Sequence, residues 1–133
     1  MRKVIVGIAS VLVVAVGVSA AWGAATKTVV KVTLKEFKVL PVPVSTPRGT
    51  VAFSVRNTGK LTHELVVLKT NLAPAKLPVK GSKAVELGRV GKISVRAGKA
   101  AGLTLSLKAG KYVLICNVAG HYQAGQRIGF VVK

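Results

Sequence analysis

The residues best suited to chemistry in this 133-residue chain are few: His63, Cys116, His121 and Gln126, with Met1 as the only methionine. Cys116, His121 and Gln126 follow one another at five-residue intervals, and His63 lies 53 residues before the cysteine. Two imidazoles and one thiolate in a trigonal arrangement, with a weak axial donor, are the donor set of a blue-copper electron-transfer site. The soft thiolate suits Cu(I), and imidazole serves both oxidation states. Taken singly, each residue has a plainer reading. A lone cysteine packs as a small hydrophobe, a strand histidine is structural, and a loop glutamine is solvated. Together they favour a metal, because every thiol and imidazole of the chain falls where the donors can meet.

Such a meeting needs a scaffold that brings distant segments side by side. Val30, Val32 and Leu34 alternate with Lys31, Thr33 and Lys35. Val51, Phe53 and Val55 alternate with Ala52, Ser54 and Arg56, and Leu103, Leu105 and Leu107 with Gly102, Thr104 and Ser106. This period of two places one apolar face inward and one polar face outward. The runs Leu65–Leu68, Tyr112–Ile115 and Ile128–Val132 are more continuously apolar and read as central strands. Turn signals separate the runs at residues 57–60, 97–99 and 108–111. Pro41, Pro43 and Pro47 suit an irregular edge. Residues 70–83 read as a long loop with one helical turn at Leu72–Lys76. No long segment has a helical period, so the pattern predicts an all-β fold, an antiparallel sandwich of about seven or eight strands. His63 then starts a strand, and Cys116 and His121 flank a short loop between two others.

Composition narrows the classes further. One cysteine excludes an internal disulfide framework and any zinc site built on several thiolates. Three glutamates and no aspartate leave too few carboxylates for a calcium cage or a paired-carboxylate glycosidase. The formal charge is +18, but the lysines are spread along nearly every strand and turn, and aromatics make up only 5%. Specific nucleic-acid recognition wants a localised basic face with stacking residues, so the charge points instead to an acidic redox partner or an anionic envelope surface.

The N-terminus has the order of an export signal: basic Met1-Arg2-Lys3, an apolar run from Val4, then small residues up to Ala25. An uncleaved anchor is the rival, since the uncharged residues 4–25 can span a bilayer. Either way the expectation is one exported domain, residues 26–133, that is secreted, periplasmic or attached to the cell envelope. This domain keeps 19 of the 21 lysines and arginines and all three glutamates.

The segment from Gly110 to Gln126 resembles the copper-binding loop of the cupredoxins: Gly-x-Tyr, three residues, Cys116, a short loop with Gly120-His121, then the axial position. Asn57-Thr58-Gly59 followed by Thr62-His63-Glu64 resembles the segment that supplies the first histidine. The resemblance covers most of residues 28–133 and implies a Greek-key sandwich holding one copper ion. It implies that His63, Cys116 and His121 are equatorial ligands and that Tyr112 is a structural corner tyrosine. At the axial position, where most cupredoxins carry methionine, this chain has Gln126, as in stellacyanin-like members. Gln123 or a backbone carbonyl is the alternative there. The resemblance also implies that His121 is the ligand nearest the surface. Val118, Ala119, Tyr122 and Ala124, with Leu72, Ala73 and Pro74, would form a small apolar docking patch around it. Asn57, Thr58, Thr62 and Asn117 are candidates for tying the ligand loops together, and Glu64 should point to the opposite face from His63. The leading function is a one-electron carrier, monomeric and not an enzyme. A copper chaperone or storage module, and a metal-free sandwich acting through its basic surface, are the alternatives.

Overall fold

The computed structural model describes residues 26–133 and Gly17; the other residues of the N-terminal segment, with the export or anchoring role expected of them, lie outside the described residues. Eleven strands follow in order: β1 Thr28–Lys35, β2 Lys38–Val42, β3 Ser45–Thr46, β4 Gly49–Asn57, β5 His63–Lys69, β6 Val79–Lys80, β7 Lys83–Ala84, β8 Arg89–Val95, β9 Ala100–Leu107, β10 Gly110–Ile115 and β11 Arg127–Val132. Eight of them have five residues or more, which matches the expected strand number. A single 3₁₀ turn, Pro74–Lys76, stands where one helical turn was expected. No helix among the described residues is long and apolar enough to cross a membrane.

The strands form two sheets, ordered β2-β1-β4-β9 and β3-β11-β10-β5-β8, with a small β6-β7 hairpin outside them. Most pairings are antiparallel, but β1 with β4 and β3 with β11 are parallel, so both large sheets are mixed. The cause is the proline-rich crossover. After the β1–β2 hairpin the chain passes through Pro43 to pair β3 with the other sheet, then returns as β4 beside β1. Pro41 is tolerated because β2 is an edge strand.

The alternating strands bury their apolar faces between the sheets. Val30, Val32, Leu34, Val51, Phe53 and Val55 meet Leu65, Val67, Leu114 and Phe130 in one core. The Phe53 and Phe130 rings lie 5.8 Å apart at a tilt of 60°. Burying such a side chain contributes about 1.5–3 kcal/mol. The continuous apolar runs have a second reason. The outward residues Val66, Leu68, Val113 and Ile115 are covered by Leu77, Ala84 and Tyr122. The long loop therefore packs on the outer face of β5 and β10, and both faces of these strands are dry. They are the two strands that end at the candidate ligands, which holds their ends in place.

Candidate metal centre

Asn57 ends β4 with its side chain fully buried. Its amide donates to the carbonyls of Leu61 and Val95, both at 2.8 Å, and its oxygen accepts the Gly59 N–H at 2.9 Å. These bonds fold residues 58–62 into a compact turn that delivers His63 as the first residue of β5, opposite Val95. Asn57 is therefore more than a turn former.

The other donors come from the β10–β11 connection. The Tyr112 hydroxyl donates to the Lys108 carbonyl at 2.7 Å and anchors the start of β10, the corner role expected of it. Cys116 follows directly after Ile115. The loop then curls on itself: His121 N–H donates to Val118 O at 2.9 Å and Gln126 N–H to His121 O at 3.1 Å. The Cys116 N–H closes the loop onto Gln126 O at 3.0 Å. The curl needs left-handed backbone at Gly120 (φ 81°) and Gly125 (φ 107°), where a side chain would be strained. The five-residue spacings of the sequence are the arc of this loop.

His63, Cys116 and His121 come together and are all buried. His63 Nδ1 lies 3.2 Å from His121 Nδ1, and Cys116 Sγ lies 3.7 Å from His63 Nδ1 and 3.4 Å from His121 Nδ1. Donors about 2 Å from a trigonal ion stand about 3.5 Å apart, and these three spacings bracket that value. Gln126 is fully buried beside them. Its amide nitrogen donates to the carbonyls of Lys35 and Lys38, at 3.2 and 3.3 Å, and also lies 3.1 Å from His63 Nδ1. Two carbonyls, which can only accept, fix the nitrogen end of the amide. Its Oε1 is then buried with no hydrogen-bond partner. An orphaned buried oxygen is costly, and a cation bound within its reach would satisfy it. The residues fit copper. Gln123 is exposed and donates to the Gly81 carbonyl, so it does not compete.

Burial bears on the charge of two of the donors. Burial, and then repulsion from His63, hold the His121 imidazole below its usual range, which leaves it neutral. Burial pushes the Cys116 thiol up, opposed by N–H bonds from Glu64 and Val118. Metal uptake must therefore displace the thiol proton. The Glu64 N–H reaches Cys116 Sγ at 3.2 Å and ties the two ligand segments directly. The Glu64 side chain points away, as alternation requires, and pairs with Lys92 at 3.2 Å.

Several neighbours differ from expectation. Asn117 does not tie the ligand loops to each other. It brackets Ala84 with two bonds, at 2.9 and 3.0 Å, and donates to Glu86 at 2.9 Å. Thr58 reaches Leu34 O only at 3.5 Å through its hydroxyl, and Thr62 is exposed. Tyr122 is not on the surface: it is buried, accepts the Leu77 N–H at 3.0 Å and donates to Pro74 O at 2.8 Å. Ala119, Ala124, Leu72 and Ala73 are exposed. Two residues next to the ligands carried no sequence signal. The Glu36 carboxylate lies 3.2 Å from His63 Nε2, and the Phe37 ring stands edge-on to His121 at 5.1 Å. Glu36 is held down to about 2 by the N–H bond of Leu61 first, with Lys60 and His63 adding to it, so it is ionised.

Known proteins place this architecture. A sequence comparison with curated proteins gives no significant match. Rusticyanin from Thiobacillus ferrooxidans superposes with a TM-score of 0.63 at 20% identity, over 83% of this chain and 79% of that one. Auracyanin B gives 0.63 at 18% identity, over 83% and 91%. Auracyanin from Roseiflexus castenholzii gives 0.58 at 19% identity, over 83% and 99%. The fold is thus the cupredoxin sandwich, and the His-Cys-His cluster has the composition of a type 1 copper site. Residues 39–133 match the sulfocyanin (SoxE) domain, most of the chain, and the chain belongs to that family.

Proposed function

We propose that this protein is an exported one-electron carrier whose copper is held by His63, Cys116 and His121, with Gln126 Oε1 as the axial donor. The observation that carries the reading is the convergence of three soft donors, with the Gln126 amide packed against one of them and its buried oxygen left without a partner. The bound ion supplies a Cu(I)/Cu(II) couple. The chain supplies rigidity and dryness. His63, Cys116 and Gln126 have no exposed surface, and each is fixed by bonds to backbone or carboxylate from another segment. Fixed donors reorganise little when one electron arrives or leaves. His121, 7% exposed, is the most exposed of the four and the natural exit toward a partner. All three glutamates are engaged internally, Glu36 with His63, and Glu64 and Glu86 in ion pairs with Lys92 and Arg89, so the outer field is mainly that of the lysines and arginines. This supports an acidic redox partner or an anionic envelope surface, met outside the cytoplasm.

Voltammetry of the copper-loaded protein tests the reading. A reversible one-electron wave is expected, and its midpoint should rise in Gln126→Met, because a thioether favours Cu(II) less than an amide oxygen. An unchanged or lower midpoint refutes the axial role. Copper binding without a reversible wave would indicate storage rather than transfer.

A further inference from the structure

The turn between β1 and β2 touches three of the four candidate ligands. Lys35 and Lys38 carbonyls hold the Gln126 amide, Glu36 holds His63, and Phe37 stands against His121. None of these four residues, 35–38, is a candidate ligand, and all of them precede the family match at residue 39. Within the turn, Glu36 is the unusual element. Its Oε1 accepts the Lys60 and Leu61 N–H groups at 2.8 and 2.7 Å as well as facing His63 Nε2. A separate observation shows that the loop is shaped around this carboxylate. A Cβ on Gly59 would lie 2.5 Å from Oε1, so the glycine leaves the space that Glu36 occupies.

We propose that Glu36 is a positioning residue for His63, which fixes the imidazole with Nδ1 toward the metal centre and sets a negative charge behind it that favours Cu(II). The geometry dictates the first part. A carboxylate only accepts, so Nε2 carries the proton; Nδ1 keeps its lone pair, which faces the Gln126 amide N–H at 3.1 Å and is the atom left for the ion. The second part follows from charge. A carboxylate bonded to a ligating histidine raises its donor strength, and the doubly charged ion gains more from this than the singly charged one. One side chain thus ties the β1–β2 turn, the 58–62 turn and the ligand together.

The inference rests on His63 as a ligand, and its test separates the two ideas. Three variants are compared in the full chain: Glu36→Gln, Glu36→Ala and Gly59→Ala. The last keeps the carboxylate but crowds it out of this position, at the loss of its bonds to Lys60 and Leu61. Without copper, nitrogen-detected NMR should show His63 as a single Nε2–H tautomer. In Glu36→Ala the Nε2–H form should lose population, with only the Gln126 amide at Nδ1 still favouring it. With copper, Cu(II) affinity should fall about 10- to 100-fold in the variants. Each tenfold loss not shared by Cu(I) raises the midpoint by about 59 mV. A mixed His63 tautomer in the unmodified protein overturns the positioning role. Midpoints equal to that of the unmodified protein in Glu36→Gln and Gly59→Ala overturn the charge role. If the unmodified protein fails to bind copper, the ligand assignment falls instead, and the tautomer result still decides the positioning role.

Discussion

Asn57→Ala probes the link between fold and metal centre at one residue. The native side chain is fully buried and makes three hydrogen bonds: two donated, to Leu61 O and Val95 O, and one accepted from Gly59 N–H. A typical bond contributes about 1 kcal/mol net, and a stranded buried partner costs more. The Val95 bond is the buried one. The Leu61 and Gly59 groups lie nearer solvent and can recover water in part. The expected loss is therefore about 2–3 kcal/mol, or roughly 10 °C in Tm for a domain of this size. Urea unfolding of the copper-free protein, followed by far-ultraviolet circular dichroism, measures it. The denaturant slope should stay unchanged, since the surface exposed on unfolding does not change. Copper affinity should fall as well, because the 58–62 turn presents His63 and cradles Glu36. A stability loss under about 1 kcal/mol with native copper affinity would refute the claim that Asn57 organises this turn.

Other substitutions and conditions give independent checks. Tyr122→Phe should cost about 1–2 kcal/mol in the same unfolding assay, because Pro74 O and the buried Leu77 N–H lose their shared hydroxyl. Phe53→Ala opens a cavity in the core against Phe130 and should cost about 3–5 kcal/mol. Glu36 titrates near 2 in the folded protein against 4.5 without the fold. Burial alone would raise Glu86, but bonds from Asn117, Lys92 and Arg89 lower it overall. In both cases the unfolded state binds more protons, so stability is full above about pH 4.5; the Glu36 share is lost as pH falls toward about 2, and the Glu86 share is lost below its unfolded value. Urea midpoints across that range measure the decline, and Glu36→Gln should flatten it. Electron transfer to an acidic partner should slow as salt rises, because exposed charges are screened over about 10 Å at 0.1 M. A rate independent of salt would argue against electrostatic steering.

The sandwich was legible wherever one face of a strand is wet. Val30–Leu34 and Val51–Val55 alternate because their outer faces meet solvent, and period two reports that directly. The doubly buried β5 and β10 lack alternation, yet their continuous apolar runs still marked them as central. The parallel pairings were not legible, because they follow from where the crossover at residues 43–48 carries the chain, not from any residue pattern. Cys116, His121 and Gln126 were readable because one loop holds them at fixed spacing. His63 was readable as the chain's other imidazole. Glu36 and Phe37 were not, since a hairpin turn 27 residues from His63 reaches it only through sheet packing. Tyr122 was misplaced on the surface for a related reason. Its hydroxyl is satisfied by residues 74 and 77, which the long loop brings in from another part of the chain.

The central claim is that His63, Cys116 and His121 hold one copper ion through a thiolate bond. Titrating Cu(II) into the copper-free protein with Cys116 reduced, while recording the visible spectrum, tests it most directly. The expected result is an intense thiolate-to-copper charge-transfer band that saturates at one ion per chain and is absent in Cys116→Ser. Saturation without a visible band, or an equal band in Cys116→Ser, would contradict the account.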